Sequence, residues 1–261
     1  MSISISENER RAWDRRTPYY LRVRDHLAGL IEAGTLAVDS RLPAERDLSE
    51  AFQITRVTAH QALIQLEMEG LIYRLNRRGW FVSPPRLRYN PSVNVSFTRN
   101  VTASGRMPGT AVLGRREVAS TPWLREKLGA GHDDTIYLVE RVRLIDDRPV
   151  LVEHIHLNAK YCPGLLTLPL EVSLTDILEQ HFGIQLRRAS VQLHPTALTA
   201  AQAEALGVSA GLPGLKISRA ASDQNGNIIE FDQEYWRHDA LEVHVDVAVD
   251  ALPRHVGSGD D

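Results

Sequence analysis

The first 90 residues carry apolar side chains at helical spacing, interrupted by short polar turns. The pattern predicts three helices, over residues 17–36, 40–52 and 56–70. A stripe of apolar positions at i, i+3, i+4 and i+7 is clearest in the third segment. Two β-rich runs on either side of "NRR" then predict a hairpin that ends before Pro84 and Pro85. We therefore expect three short helices followed by a hairpin.

Beyond about residue 92 the apolar positions alternate with a period of two, as in half-buried strands. "IDDRP" and "QNGN" predict tight turns between successive strands. Segments 121–129, 173–183 and 199–207 predict short helices, the last with a capping-box spacing. Strands joined by tight turns predict an antiparallel sheet covered by helices, so the expected fold class is α+β. The strand-like segments are 110–120, 135–146, 148–158, 185–196, 214–224, 227–239 and 241–250.

These changes of pattern divide the 261 residues into two domains and three other segments. We expect a flexible N-terminal segment over 1–16 and a flexible tail over 253–261. The helical domain is expected over 17–84 and the sheet domain over 96–252, with a linker over 85–95.

Charge is distributed unevenly between these domains. Residues 1–90 contain 14 arginines against 11 aspartates and glutamates, whereas residues 91–261 contain 16 lysines and arginines against 22 acids. A basic part on an otherwise acidic chain indicates a polyanionic partner for that part. Solvated surface charge commonly produces an asymmetry of this size, so the indication is weak on its own.

Composition argues against several other classes of protein. No apolar run approaches the ~18 residues that span a bilayer, and the N-terminus lacks the apolar centre of a secretory signal. A soluble cytoplasmic protein without a membrane partner is expected. Cys162 is the only cysteine, which excludes an intrachain disulfide and a zinc site of several cysteines. The sequence has no nucleophile motif, phosphate loop or metal spacing, so no cofactor is expected and an enzyme is the weaker alternative.

Three helices and a hairpin are the order of a winged helix-turn-helix, whose third helix enters the major groove of DNA. At the start of that helix, arginine can pair with guanine and glutamine with adenine. The arginines of the hairpin repel one another unless an anion lies nearby, and the DNA backbone supplies one. An ordinary three-helix domain with solvated arginines is the alternative. The candidate DNA-reading side chains are Arg56, Thr58, His60 and Gln61, with Arg46 from the preceding helix near the same groove.

The segment 42–82, "LPAERDLSEAFQITRVTAHQALIQLEMEGLIYRLNRRGWFV", resembles the DNA-binding domain of GntR-family transcription regulators over its whole length. The resemblance implies a double-stranded DNA operator as partner. The segment departs from many members at His60, where they have arginine, and at "NRRGW", where they have a small glycine-rich tip. The implied DNA contacts are Arg46, Thr55, Arg56 and Thr58 in the helices, and Arg77, Arg78 and Gly79 in the wing.

The rest of the chain resembles the UTRA domain of the HutC branch of this family, which is similar to the chorismate lyase fold. The resemblance is carried by "SFT", "ERVRL", "PVLVE", "SLTDIL" and "EFDQEYWRHD". Arg141 and Arg143 share one face of a strand, where two guanidinium groups suit a phosphate or phosphonate. Taken alone, their spacing also fits an exposed edge strand paired with Glu140 or Glu153. The implied ligand site contains Phe97, Thr98, Arg141, Arg143, Glu153, Ser173, Thr175, Glu230 and Trp236.

Within that site, Glu153 and Glu230 are expected to take the cationic or hydroxyl end of a small anionic or zwitterionic effector. Asp232 and Glu234 are expected to be surface acids. Without the resemblance, Trp236 would be interpreted as an aromatic residue of the core. "YWRHD" and "GRMPGTAVL" resemble regulators of 2-aminoethylphosphonate use. A sugar phosphate or a histidine-pathway acid fits the same groups.

The resulting hypothesis is a homodimeric transcription regulator that represses a catabolic operon until its effector binds. A dimer is expected because one small module alone gives limited affinity for DNA. Residues 86–97 join the domains and are the expected route of the signal.

Overall fold

The computed structural model describes residues 16–75, 78–93 and 95–246, apart from the side chains of residues 188 and 189. Residues 1–15 of the predicted N-terminal segment, the predicted tail over 253–261 and the candidate Arg77 lie outside these ranges. The described residues form a helical N-terminal domain and a sheet-based C-terminal domain. The α+β fold class is thereby confirmed.

The N-terminal domain consists of three helices and a two-stranded hairpin, in the predicted order. The elements pack around one apolar cluster that includes Leu27, Leu63 and Trp80. Leu42 donates its backbone N–H to the carbonyl of Trp80 at 2.8 Å, so the residues before Pro43 pair with the hairpin. The second helix therefore starts later than the predicted residue 40. The elements are α1 (Tyr19–Glu32), α2 (Glu45–Phe52), α3 (Arg56–Met68), β1 (Ile72–Leu75) and β2 (Gly79–Val82).

Helix α3 is fixed at both ends and along one side. The Thr55 side chain accepts the N–H of Thr58 at 3.2 Å and caps the first turn. The predicted apolar stripe, with Leu63 at its centre, is fully buried. Gly70 follows the helix with φ +78°, a conformation that ends helices at low cost when the residue is glycine.

A six-stranded antiparallel sheet forms the C-terminal domain, with strand order β4-β5-β6-β9-β8-β7. Asp146 and Asp147 both have positive φ, 50° and 62°, in the two-residue turn between β5 and β6. Both predicted turns join neighbouring strands. The strands are β4 (Pro108–Ala119), β5 (Thr135–Ile145), β6 (Arg148–Asn158), β7 (Arg187–Ala197), β8 (Pro213–Ser222) and β9 (Ile228–Arg237).

Helices cover both faces of this sheet. Helix α6 packs on the face that carries Ile155, whereas α7 packs on the opposite face against Val142 and Val152. The predicted capping box of α7 is formed by Thr199 and Gln202. The helices are α5 (Pro122–Leu128), α6 (Leu174–Phe182) and α7 (Ala200–Leu206), with a 3₁₀ turn over Leu165–Thr167.

A short strand and a helix near the domain boundary were not predicted. Strand β3 (Leu87–Tyr89) lies within the segment predicted as a linker and pairs in parallel with β10 (Leu241–Val243). Helix α4 (Phe97–Ala103) follows, capped by Ser96. The strand predicted over 241–250 ends at Val243 within the described residues. Elements of three to seven residues are too short to display a period in the sequence.

Leu63→Ala is expected to lower the free energy of unfolding by ~2–5 kcal/mol, because it opens a cavity in the centre of the N-terminal core. Chemical denaturation followed by circular dichroism measures the change. Met68→Ala is the control on the same helix, since Met68 is half exposed and its loss should cost less than ~0.5 kcal/mol. Equal effects of the two changes would contradict the assigned helix faces.

Candidate DNA-binding and effector-binding sites

The N-terminal end of α3 presents the predicted DNA-reading side chains. Arg56 and Gln61 are exposed, while Thr58 and His60 are half-buried. The hydroxyls of Thr55 and Thr58 lie 2.9 Å apart at the helix start. The apolar stripe of α3, which includes Ala59, faces the core. The N-terminal end of the helix is therefore left open to a ligand.

His60 is anchored to the helix in front of it. Its Nδ1 lies 2.9 Å from Oε1 of Glu45, and its ring packs edge-on against Trp80. Trp80 Nε1 donates to the same carboxylate oxygen at 3.4 Å. Partial burial opposes ionisation of Glu45, but these two hydrogen bonds outweigh it and lower the pKa of the carboxyl. The position at which many relatives have arginine thus holds a histidine with a fixed orientation.

A basic groove of about 330 Å³ lies between the starts of α2 and α3 and the hairpin. Four arginines line it, with Glu45 as its only acid. Arg46 also reaches Asp47 at 3.3 Å, as an exposed pair of little energetic weight. The sequence predicted Arg46 and Arg56 near the groove but not Arg41 and Arg74. Alternation in so short a hairpin does not show on which face of its strands an arginine lies. The lining residues are Arg41, Leu42, Pro43, Ala44, Glu45, Arg46, Arg56, Arg74, Leu75, Gly79 and Trp80.

The described part of the hairpin tip is basic and tightly built. Arg78 is exposed, and its guanidinium lies 5.8 Å from the ring centre of Phe81. Gly79 has φ +102°, and a Cβ placed there would stand 3.2 Å from Nε of Arg41. Both the backbone conformation and the close approach of Arg41 therefore require glycine at this position.

A cavity of about 70 Å³ lies in the C-terminal domain, between the sheet, the N-terminus of α6 and the start of α4. Seven of the nine predicted ligand residues line it. The side chains come mainly from one face of strands β5, β6, β8 and β9, because residues two apart on a strand share a face. The lining residues are Val95, Ser96, Phe97, Arg141, Arg143, Glu153, Ile155, Ser173, Leu174, Thr175, Leu186, Arg219, Ala221, Glu230, Asp232 and Glu234.

Arg141 and Arg143 belong to a buried ion cluster rather than to an exposed edge. Strand β5 lies inside the sheet, and the two residues are 2% and 3% exposed. Arg141 Nε donates to Oε1 of Glu153 at 2.6 Å, and Arg143 Nη1 donates to the same oxygen at 3.3 Å. Burial opposes ionisation of Glu153, but the two guanidinium groups lower the pKa of its carboxyl. The cluster of two cations and one anion keeps a net positive charge for an anionic ligand.

Asp232 and Glu234 are not the surface acids that were predicted. They are 1% and 3% exposed, and both pair with Arg219 on the neighbouring strand β8. Arg219 Nε lies 3.2 Å from each oxygen of Asp232. The prediction was wrong because alternation fixes which residues share a face but not which face is covered.

Glu230 is the carboxylate of the cavity without a direct partner. Within the described residues it has neither a hydrogen bond nor an ion pair, although it lines the same wall as Asp232. Burial, followed by the charge of Asp232, raises its pKa well above the ordinary range of a glutamate. A cationic ligand group would relieve both effects.

Aromatic side chains and a threonine hydroxyl close the cavity beside the arginine cluster. Thr98 Oγ1 accepts a hydrogen bond from Arg143 Nη2 at 3.1 Å, and the Phe97 ring centre lies 4.3 Å from the same guanidinium. Trp236 packs against Phe97 and donates from Nε1 to Glu234 at 2.7 Å. Of the nine predicted residues, Thr98 and Trp236 therefore lie behind the lining rather than in it.

Ser173 and Thr175 line the cavity at the first turn of α6. The Ser173 hydroxyl accepts the N–H of Asp176 at 3.3 Å and caps this helix. Free N–H groups at a helix start attract anions. This turn adds positive potential on the side of Arg141, whose Nη1 donates to the carbonyls of Leu170 and Val172 at 3.1 Å.

The two domains match two known families. The profile of the GntR family, described as bacterial regulatory proteins, matches residues 19–82, and that of the UTRA domain matches residues 103–242. This chain belongs to the GntR family. It has a HutC-type architecture, with an N-terminal helix-turn-helix and a C-terminal UTRA domain.

Individual GntR relatives cover nearly the whole chain. The HTH-type transcriptional repressor NagR of Bacillus subtilis (strain 168) is 36% identical over 222 residues, which cover 85% of this chain and 91% of NagR. The uncharacterized HTH-type transcriptional regulator YihL of Escherichia coli (strain K12) is 28% identical over 225 residues, covering 86% and 95% of the two chains. The crystal structure of PhnF from Mycobacterium smegmatis matches with a TM-score of 0.62 at 26% identity, covering 87% of this chain and 100% of that one.

Membership of the GntR family defines the general function. The chain is a ligand-responsive transcription regulator that binds a DNA operator and a small effector, and it is not an enzyme. Among the described helices, none combines the length and hydrophobicity of a membrane span. No group of three or more potential ligands for a metal ion is found in the described ranges.

Sequence reasoning about this GntR chain missed Arg219, Asp232 and Glu234 as cavity residues. Arg219 occupies the position on β8 that faces Asp232 in register. The signal was present in "EFDQEYW", where three acids recur at every second position, together with one arginine in the preceding strand. Buried charges occur in compensating sets, so this spacing could have indicated the site.

Arg219→Ala is expected to lower the free energy of unfolding of the UTRA domain by ~3–5 kcal/mol near neutral pH, because it leaves Asp232 and Glu234 buried without their cation. The loss should shrink as pH falls below about 7, because burial raises the pKa of Glu234 to about 7 and protonation there removes one of the two charges that Arg219 compensates. Urea titrations at several pH values measure both effects. Arg116→Ala is the matched control: it removes a half-exposed arginine paired with Glu140, and should cost ~0–1 kcal/mol. A loss of unfolding free energy that does not change with pH would argue against the buried cluster.

Proposed function

We propose that this GntR regulator is a homodimeric repressor of a catabolic operon and that its effector is a small zwitterionic phosphonate of the 2-aminoethylphosphonate type. The observation that carries the proposal is the division of charge in the cavity. Arg141 and Arg143 lie on one side with an excess of positive charge, and Glu230 lies on the other with no hydrogen bond or ion pair to any side chain that the structure describes.

The anionic end of the effector is assigned to the arginine side. Nε of Arg143 is buried and has no acceptor among the described residues. A phosphonate offers three oxygens to two guanidinium groups and to the N–H groups at the start of α6. Ser173 and Thr175 supply hydroxyls at the same turn. An arginine pair held by Glu153 would bind the dianion without rearranging.

Glu230 is assigned to the ammonium end. Its carboxyl is held neutral by burial and by Asp232, and a bound ammonium would stabilise the ionised form. Glu153 was expected to share this role, but it is already paired with Arg141 and Arg143. Glu230 therefore becomes the main determinant for an amine.

Cavity size favours a small effector. The volume of about 70 Å³ is far below the ~300 Å³ at which drug-sized sites begin. A two-carbon aminophosphonate matches such a volume better than a hexose phosphate does. Sugar phosphates would use the same arginines and are the main competing ligands in the tests below.

The DNA side of the proposal follows the groove and helix α3. The half-exposed start of α3 would read base edges, and the arginines around the groove would bind phosphates. Two copies on a pseudo-palindrome would supply the affinity that one module lacks. Because its operator lies on the bacterial chromosome, we place the protein in the cytoplasm. The proposed DNA contacts are Arg46, Thr55, Arg56, Thr58, His60, Gln61, Arg77, Arg78 and Gly79.

Arg56→Ala is expected to weaken binding of a selected palindromic operator by ~1–3 kcal/mol and to relax preference at one base pair of each half-site. Fluorescence anisotropy with operator variants measures both. Affinity of the wild type should also fall steeply with salt, because each phosphate contact releases counterions. Arg187→Ala, which removes an exposed arginine of the UTRA domain, is the control and should leave binding unchanged. Binding that is insensitive to salt would refute the groove assignment.

Binding of 2-aminoethylphosphonate is expected to strengthen with rising pH, because its ammonium pairs only with ionised Glu230. The affinity should rise through the elevated pKa of Glu230 and level off above it, by at most about tenfold per pH unit. Isothermal titration calorimetry between about pH 6 and 9 measures the profile.

Two controls isolate the carboxyl of Glu230. Glu230→Gln should reduce the rise to the part that the second ionisation of the phosphonate contributes, and ethylphosphonate, which lacks the amine, should show only that part with the wild type. Identical profiles for the wild type and Glu230→Gln would contradict the assignment. Tighter binding of glucosamine 6-phosphate than of the aminophosphonate would favour a sugar phosphate effector instead.

A further inference from the structure

The C-terminal end of helix α3 rests directly on the turn that follows strand β9. His238 in that turn lies between two backbone carbonyls: Nε2 is 2.6 Å from the oxygen of Glu67, and Nδ1 is 3.0 Å from that of Pro213. A carbonyl oxygen can only accept, so each ring nitrogen must carry a hydrogen to bond there, and the cationic ring satisfies both. Glu67 belongs to the DNA-reading helix, whereas His238 and Pro213 belong to the UTRA domain.

Gly70 makes the second contact of this junction. A Cβ at Gly70 would stand 3.1 Å from Cβ and 3.3 Å from Cα of Asp239. It would also stand 2.7 Å from Nη2 of Arg86, which donates to the carbonyl of Glu69 at 3.1 Å. The backbones of the two domains therefore approach as closely as a glycine permits.

Tyr73 on strand β1 makes the third contact. The guanidinium of Arg148 lies 4.2 Å from its ring centre and that of Arg237 lies 5.8 Å away. Asp239 holds both arginines: Arg237 donates to it twice at 2.9 Å, and Arg148 is paired with it as well. Asp239 is 1% exposed. Residues 237–239, which these ion pairs hold in place, thus form a charged surface on which the N-terminal domain packs.

The same turn is continuous with the effector cavity. Strand β9 carries Glu230, Asp232 and Glu234 in the cavity wall and Trp236 behind it, and it ends at Arg237. Three residues separate Glu234 from His238, so the two lie four residue steps apart, a span of about 13 Å. After the turn the chain enters β10, which pairs with β3 in the segment between the domains.

We propose that the turn 237–239 couples effector binding to DNA binding, with His238 as the positioning residue that holds the recognition helix through the carbonyl of Glu67. A ligand that displaces the acids of β9 moves the end of that strand, and the hydrogen bond of His238 transfers the displacement to α3. The proposal rests on the cavity being the effector site. It assigns the coupling to this contact, whereas the sequence pointed to residues 86–97 alone.

His238→Ala tests the contact without any ligand. Amide hydrogen exchange of residues 67–71 is expected to become about fivefold faster, the effect of losing one hydrogen bond. Exchange in the cavity strands β5 and β6 should not change. His238→Gln keeps a donor near the Nε2 position and should restore part of the protection. His194→Ala, on the exposed edge strand β7, is the matched control. Unchanged exchange at 67–71 in His238→Ala would overturn the proposal.

A second arm uses 2-aminoethylphosphonate and a selected operator. His238→Ala should bind the aminophosphonate with wild-type affinity but lose most of the ligand-induced change in operator affinity. An unchanged ratio of operator affinities with and without ligand would overturn the coupling role. If the wild type does not bind this compound, the effector assignment fails and the exchange experiment alone decides the proposal.

Discussion

The compensation of buried charge on one face of the sheet is the interaction on which the UTRA domain depends. Three guanidinium groups and four carboxylates line one small cavity. Each would cost several kcal/mol to bury alone, so they must lie in register across four strands. Arg141 and Glu153 are direct partners on β5 and β6, as are Arg219 and Asp232 on β8 and β9. The antiparallel order of the strands and the charge pattern therefore agree with each other, and Glu230 is the cavity carboxylate that this pairing among the described residues leaves over.

A similar compensation of charge explains how two domains of opposite net charge act together. Among the described residues, none from the UTRA domain lines the basic groove of the N-terminal domain. The junction between the domains instead has its own set of compensating charges, in which Asp239 pairs with Arg148 and Arg237. Burial raises the pKa of Glu67 beside this set, with Arg237 as its nearest opposing charge. The domains are thus joined by compensated charges and backbone contacts.

Much of this organisation could be predicted from the sequence because long elements display their period. The stripe of α3 and the alternation in β5 and β6 gave the three helices, the hairpin and the antiparallel sheet. Strand β3 and helix α4 could not be predicted, since neither shows a period or a turn signal in the sequence. For the site, the arginines of β5 were found through a family resemblance. Asp232 and Glu234 were missed because their alternation shows a shared face but not which face is covered. His238 was missed because contact between domains leaves no local pattern.

The contacts described near the end of α3 use backbone atoms: His238 bonds the carbonyl oxygen of Glu67, Arg86 bonds that of Glu69, and Asp239 lies against Gly70. These groups are nearly independent of the side chains that face outward from the start of the helix. The recognition surface can therefore change its sequence, and with it the operator, without altering how the two domains fit. An evolving lineage could acquire new target genes while it keeps the same response to its effector.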